Sequence, residues 1–157
     1  MAQSDQFVPH LIVNDGMAAL KFYKEVFSAA EGHNMMAPDG KRFLHGELIV
    51  DGHTIFISDE FTAAEGGNCR TPQTLGGSCV RITFMTDDAD AVFERAVARG
   101  AQVLMPLQNM FWGARYGQFV DPFGHHWGIN QQLQEQSEAE TNAAAEEFFA
   151  KRKAGDE

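Results

Sequence analysis

The feature that most constrains the fold is an internal repeat. Gly52-His53-Thr54-Ile55-Phe56-Ile57 and Gly124-His125-His126-Trp127-Gly128-Ile129 share the pattern G-H-x-x-x-I, each after an aspartate-led turn. A shared hexamer alone carries little weight. These two copies, however, close the same series of elements in each half of the chain, which makes a repeat signal.

In the first half, residues 7–13 read as a strand, and Asn14-Asp15-Gly16 marks a turn with Asp15 as N-cap. Over 17–28, Leu20, Tyr23, Val26 and Phe27 fall at helical spacing, with Lys21, Lys24 and Glu25 off that stripe. Gly32 is expected just past the helix end, followed by a loop over 33–41. Residues 42–50 then alternate: Leu44, Gly46, Leu48 and Val50 on one side, Phe43, His45, Glu47 and Ile49 on the other. Asp51-Gly52 is a hairpin turn, and 53–58 is the returning strand.

The second half repeats this order. Residues 79–86 alternate, Asp87-Asp88 opens a helix with Val92, Phe93, Ala96 and Val97 on one stripe, and Gly100 ends it. A short strand over 102–105 leads to the aromatic-rich stretch 110–130. That stretch reads as strands 116–120 and 126–130 joined by the turn Asp121-Pro122-Phe123-Gly124. The glycine-rich residues 61–77 read as the linker. Each half is therefore β-α-β-β-β, and the expected fold class is α+β. The domain spans 1–134, with modules at about 7–60 and 78–132. Each sheet should bury one face on its helix and leave the other for something else.

Residues 135–157 differ in character. Ser137-Glu138-Ala139-Glu140 fits a capping box, and the alanine-rich run after it favours helix. An acidic C-terminal helical extension is expected, held by Phe148 or Phe149 and frayed at its end.

Charge narrows the partners. A formal net charge of -10 argues against nucleic acid, whose affinity comes from Lys and Arg at phosphates. No apolar run approaches the roughly 20 residues that span a bilayer. The N-terminal MAQSDQF lacks a basic segment followed by an apolar one, so no membrane association and a cytoplasmic location are expected. Cys69 and Cys79 form no CxxC and are expected as two reduced thiols. Nucleophile-and-base, phosphate-loop and zinc-ribbon patterns are absent from the sequence.

The segment HLIVNDGMAALKFYKEVF resembles the first βα unit of the vicinal oxygen chelate (VOC) superfamily of glyoxalases, bleomycin-resistance proteins and extradiol dioxygenases. TDDADAVFERAVARGAQVLMP looks like its second βα unit, and YGQFVDPFGHHWGI like its closing DPxG hairpin. The FWG…YG…DPFGHHW wording is most similar to a subgroup associated with phosphonate metabolism. The likeness covers roughly residues 7–132. It implies two βαβββ modules forming a curled mixed sheet around a cavity, usually within a homodimer.

Enzymes of that family usually bind one divalent metal with His and Glu from an inward position on each of four strands. Alignment on Asp15 and Asp88 puts Val8 and Arg81 at the two histidine positions, Gly128 at the closing glutamate and Phe56 at its counterpart. None of these ligates a divalent metal well, so the resemblance implies no resident cofactor. A shift of two residues preserves strand facing and brings in His10 and His126. With His45 and Glu47, these give an inward set of His10, His45, Glu47, Arg81 and His126. Two readings stay open: the set hydrogen-bonds around a polar cavity, or His10, His45, Glu47 and His126 hold one divalent metal ion. Trp112 and Tyr116 either wall a ligand site or fill a core, and Trp127 should face the helices. Arg81 either pairs with Glu47 or recognises an anion, and Arg115 is expected to be solvated. The function expected is binding of a small organic molecule, bleomycin-resistance-like. The alternative is a metal-dependent lyase, isomerase or dioxygenase, so enzymatic activity stays open here.

Overall fold

Two aspartates start the two principal helices. Asp15 Oδ1 accepts the Ala18 backbone N–H at 2.9 Å, and Asp88 Oδ1 accepts that of Ala91 at 3.0 Å. The computed structural model describes residues 7–154; residues 1–6 and 155–157, and with the latter the chain end where fraying is expected, lie outside the described residues. The first module comprises β1 (His10–Val13), α1 (Gly16–Phe27), β2 (Ala30–Met36), β3 (Phe43–Val50) and β4 (His53–Asp59). A 3-10 turn (Ala63–Glu65) and the one-turn helix α2 (Pro72–Leu75) lie in the expected linker. The second module comprises β5 (Arg81–Met85), α3 (Ala89–Ala98), β6 (Gln102–Asn109), β7 (Ala114–Val120) and β8 (His126–Gln132). Helix α4 (Glu138–Ala154) follows.

The α+β fold of two βαβββ modules is the one observed. Each module forms a four-stranded mixed sheet, in the orders β1-β4-β3-β2 and β5-β8-β7-β6. The repeat holds in register: His10 lies opposite Phe56 in one parallel pair, and Thr83 opposite Gly128 in the other. Asp51 and Gly52 both take positive φ (48° and 81°) in the turn between the paired Val50 and His53, which suits a tight hairpin.

Four local expectations are corrected. Residues 30–36 form strand β2, where the start of a loop was expected. Its burial follows no alternation, because it is a sheet edge held by pairing with β3 through two irregularities. Helix α1 ends not near Gly32 but at Ser28, in the left-handed region (φ 54°). Gly32 instead lies in β2, where an added Cβ would come within 2.7 Å of Glu47 Cβ. Leu44 is exposed while Phe43 is buried, because the register slips between Met35 and Met36 opposite them. From Gly46 onward the expected facing resumes.

One core serves both modules. Leu20, Tyr23, Val26 and Phe27 of α1 pack in the same buried cluster as Leu48 and Ile57 of the first sheet and Phe119, Trp127 and Ile129 of the second. Phe27 lies 4.6 Å from Trp127 between ring centroids. At its centre is the buried Asp121. Its Oδ2 accepts the Tyr23 hydroxyl at 2.6 Å and the Trp127 indole N–H at 2.8 Å. Its Oδ1 accepts the backbone N–H groups of Phe123 and His125, each at 2.9 Å. Burial, then the Asp121 charge and hydrogen bond, push ionisation of the Tyr23 hydroxyl well above its usual 10.0.

Asp121→Asn should therefore cost about 3 kcal/mol, because whichever side the amide NH2 takes it meets donors rather than acceptors. Tyr23→Phe should cost about 1–2 kcal/mol near pH 8. Because the folded-state value of Tyr23 is raised, its contribution is complete below about pH 10 and is lost as the pH rises above that. Urea denaturation at about pH 8 and about pH 11 checks this, with the alkaline loss smaller in Tyr23→Phe.

Candidate functional site

The helix-bearing faces of both sheets turn onto the shared core, leaving the opposite face of each free. On the first sheet, alternation sets His10 of β1, His45 and Glu47 of β3, and Phe56 and Ser58 of β4 on that face. His10 Nε2 lies 3.0 Å from the hydroxyl of the buried Ser58. The rings of His10 and His45 meet that of Phe56 edge-on, at 5.9 Å and 4.6 Å, and each other at 6.3 Å. His45 Nε2 is 3.2 Å from Glu47 Oε1, and Glu47 Oε2 accepts the His33 backbone N–H at 3.3 Å.

These contacts set protonation. The His45 contact, followed by the His33 amide, holds the Glu47 carboxyl below its usual value of 4.5. The His10 residue is exposed, but the setting of its ring between Phe56 and Ser58 desolvates the imidazole. That desolvation, followed by the charge His45 can carry, lowers it below 6.5. At neutral pH this face therefore offers a neutral His10 beside an ionised Glu47.

The second sheet presents different chemistry. Arg81 of β5, exposed at the strand start, donates from Nη1 to Gln118 Oε1 of β7 at 2.8 Å. Of the two readings of Arg81, pairing with Glu47 is not the one observed, since Glu47 belongs to the other sheet and is engaged there. Tyr116 of β7 lies over Gly128 of β8. A Cβ on Gly128 would come within 2.8 Å of the Tyr116 hydroxyl and 3.1 Å of Thr83 Oγ1. Trp112 stands edge-on to Tyr116 at 5.9 Å, so the two form a wall. His126 lies opposite Arg81 in the ladder, and with His10, Val80 and Ile82 it lines a groove of about 580 Å³ along β1. Trp127 faces the core, as expected. Arg115 is not merely solvated: it grips Asp90 with two N–H groups, each at 2.6 Å.

The structure therefore divides the expected site. His10, His45 and Glu47 come together on one module; Arg81, Trp112, Tyr116 and His126 lie on the other. Among the described residues, no three His, Cys, Asp or Glu side chains are grouped to hold a metal ion. His10 and His45 direct Nε2 to Ser58 and Glu47, and the residues as arranged do not fit a divalent metal. Cys69 and Cys79 are free and exposed.

Three contributors went unread in the sequence. Ser58 was discoverable, because it shares the strand parity of Phe56. The Gln118 partner of Arg81 needed the β5-β8-β7 order. Phe111 sits in a loop without periodicity, yet it contacts Trp112 at 4.9 Å and Phe148 at 5.1 Å.

Known proteins place this geometry. The model of the Glyoxalase/Bleomycin resistance protein/Dioxygenase superfamily matches residues 3–129. An uncharacterized protein of Mycobacterium bovis is 41% identical over 136 residues, covering 87% of this chain and 89% of its own. TioX from Micromonospora sp. ML1 superposes with a TM-score of 0.63 at 25% identity, over 83% of this chain and all (100%) of that one. The fosfomycin resistance protein FosX of Listeria monocytogenes, complexed with Mn(II) and sulfate, gives a TM-score of 0.61 over 88% of this chain and 97% of its own. At 18% identity that likeness concerns the fold alone.

Two outcomes follow from the contacts. In an NMR titration the His10 imidazole should lose its proton below pH 6.5, and His45→Gln should restore only part of the shift, because burial is the larger cause. Gly128→Ala should cost about 1 kcal/mol by pushing the Tyr116 ring aside, and combining it with Tyr116→Phe should recover part of that in a double-mutant cycle.

Proposed function

The chain belongs to the glyoxalase/bleomycin resistance protein/dioxygenase superfamily, and we propose that it binds a small organic molecule on its free sheet faces without a resident metal ion. The observation that carries this reading is Tyr116 over Gly128. The family resemblance sets a metal-binding glutamate at position 128, yet even a Cβ there would come within 2.8 Å of the Tyr116 hydroxyl and 3.1 Å of Thr83 Oγ1, so a side chain would have to displace the ring. An aromatic wall occupies the place of a ligand. At the counterpart position, Phe56 packs between His10 and His45 and gives that face an apolar floor with polar edges. Such a mixture of aromatic surface and a few directed polar groups suits recognition of an organic molecule.

Arg81 supplies the anion-binding element. Among the described residues its one side-chain hydrogen bond goes to the neutral Gln118, so the remaining guanidinium donors suit a carboxylate or phosphonate group. This supports the narrower expectation of the phosphonate-associated subgroup. The free faces also expose Met35, Ile49 and Met85, together with Leu44 at the β3 irregularity. A second copy of the chain would cover that surface, giving a homodimer. No helix among the described residues is long and apolar enough to cross a membrane, which agrees with a cytoplasmic working place.

The test combines metal analysis with ligand screening. Protein purified without chelator should carry far less than one equivalent of divalent metal. A thermal-shift screen of antibiotics and small organic acids should give a compound that raises Tm in the native chain and much less in Trp112→Ala and Arg81→Gln. A stoichiometric, tightly held metal would overturn the reading.

A further inference from the structure

The family match ends at residue 129, and helix α4 lies beyond it. What α4 adds is a second site. Phe148 and Phe149 reach back to the loop before β7, where Phe148 stacks at 35° on Phe111 with centroids 5.1 Å apart and Phe149 meets the same ring at 6.3 Å. Trp112 meets Phe111 edge-on at 4.9 Å. Between these rings and Met105 of β6 lies a cavity of about 530 Å³, within the size range of small-ligand pockets.

The contact between helix and loop leaves this cluster incompletely covered. Phe149 is 55% exposed and Phe111, Trp112 and Phe148 are half-buried, so much of the ring surface stays in water. Helix α4 is also weakly amphipathic for its length: its other residues are mostly charged or alanine, and the two phenylalanines are its main apolar hold. A ligand between the rings would bury what the protein alone leaves wet.

Charge selects the class of ligand. The chain as a whole carries a net charge of -10, but the lining of this cavity contains no carboxylate. Its one charged residue is Arg152, whose guanidinium lies over the Phe148 ring at 5.6 Å and forms no ion pair among the described residues. Gln108 and Asn109 add amides at the rim. A flat apolar body fits among the rings, and an anionic group fits the guanidinium beside them.

We propose that α4 and the β6–β7 loop form a binding site for a planar aromatic anion, an aryl carboxylate or aryl sulfonate, built from Phe111, Trp112, Phe148, Phe149 and Arg152. It goes beyond the reading above, for of the residues named there only Trp112 lines it.

The test uses two fluorescent probes on the full chain. 8-Anilinonaphthalene-1-sulfonate is an aromatic anion with a flat naphthalene ring, and N-phenyl-1-naphthylamine has the same rings without the sulfonate. The sulfonate probe should saturate at one equivalent per chain. Arg152→Gln, an exposed helix position, should weaken it about tenfold and leave the neutral probe unchanged. Phe148→Ala should remove both, and Met17→Ala, at an exposed apolar position of α1 outside the lining, should change neither. Circular dichroism of each variant verifies that it is folded. Equal binding of the sulfonate probe by native protein, Arg152→Gln and Phe148→Ala overturns the proposal. So does absence of binding by native protein together with a dimer that Phe148→Ala dissociates, since a second copy would then be what covers these rings.

Discussion

The arrangement depends on one buried carboxylate. A charge removed from water is tolerated only when each oxygen is met by donors, and Asp121 collects them from three sources: the turn it begins, the strand after that turn and helix α1 of the other module. The Tyr23 hydroxyl is the donor that matters for architecture. It acts beside a second link, His125 Nε2 at 2.9 Å from the Ile12 carbonyl oxygen of β1. Through the hydroxyl, the turn of one module is bonded to the helix of the other, and the phenol stays protonated because burial and the Asp121 charge both oppose its ionisation. The two sheets are thereby committed to turn their helix sides together. The free faces, with every candidate ligand-binding residue, are what that commitment leaves over.

The two free faces have diverged within the same backbone plan. His10 opposite Phe56 and Thr83 opposite Gly128 are equivalent positions in register, yet the first pair is titratable and aromatic and the second nearly bare. The bareness is filled from the side, by Tyr116. The lack of a side chain at position 128 is what admits the ring, so the bare strand position and the aromatic wall are one structural feature. On the first face the same economy operates between Gly32 and Glu47: a Cβ at 32 would strike the Glu47 side chain, so the glycine lets the carboxylate lie along β2 and receive the His33 amide.

Legibility in the sequence followed the range of the interactions. Asp15 and Asp88 as caps, the Asp51-Gly52 hairpin and the core facing of Trp127 depend on neighbours within a few residues, and each was readable. Strand β2 was not, because an edge strand with both faces partly wet has no hydrophobic period, and only pairing with β3 holds it. Leu44 misled for a related reason: alternation assumes an unbroken ladder, and Leu44 is an extra residue on β3, between Phe43 and His45, that reverses the facing beside it. For the site, strand parity brought His10, His45 and Glu47 to one face correctly. It could not supply Gln118 for Arg81 or Asp90 for Arg115, since those partners follow from sheet order and helix placement.

That distinction bears on whether the candidate polar side chains could share one metal ion. A metal site needs side chains from both modules to converge, and convergence is a property of the assembly rather than of any strand. Here three of the four candidate ligands have a partner on their own sheet: Ser58 for His10, and His45 and Glu47 for each other. Local pairing of this kind lowers the free energy of each face separately, and of the four only His10 and His126 line a common groove across the modules. The aromatic elements behave in the opposite way. Trp112 and Tyr116 are linked by ring contact, and through Phe111 the chain of rings continues to Phe148 on the appended helix. The polar groups are satisfied where they stand while the rings remain half in water, so the unmet interaction surface of this protein is aromatic, and that is where an organic partner has most to offer.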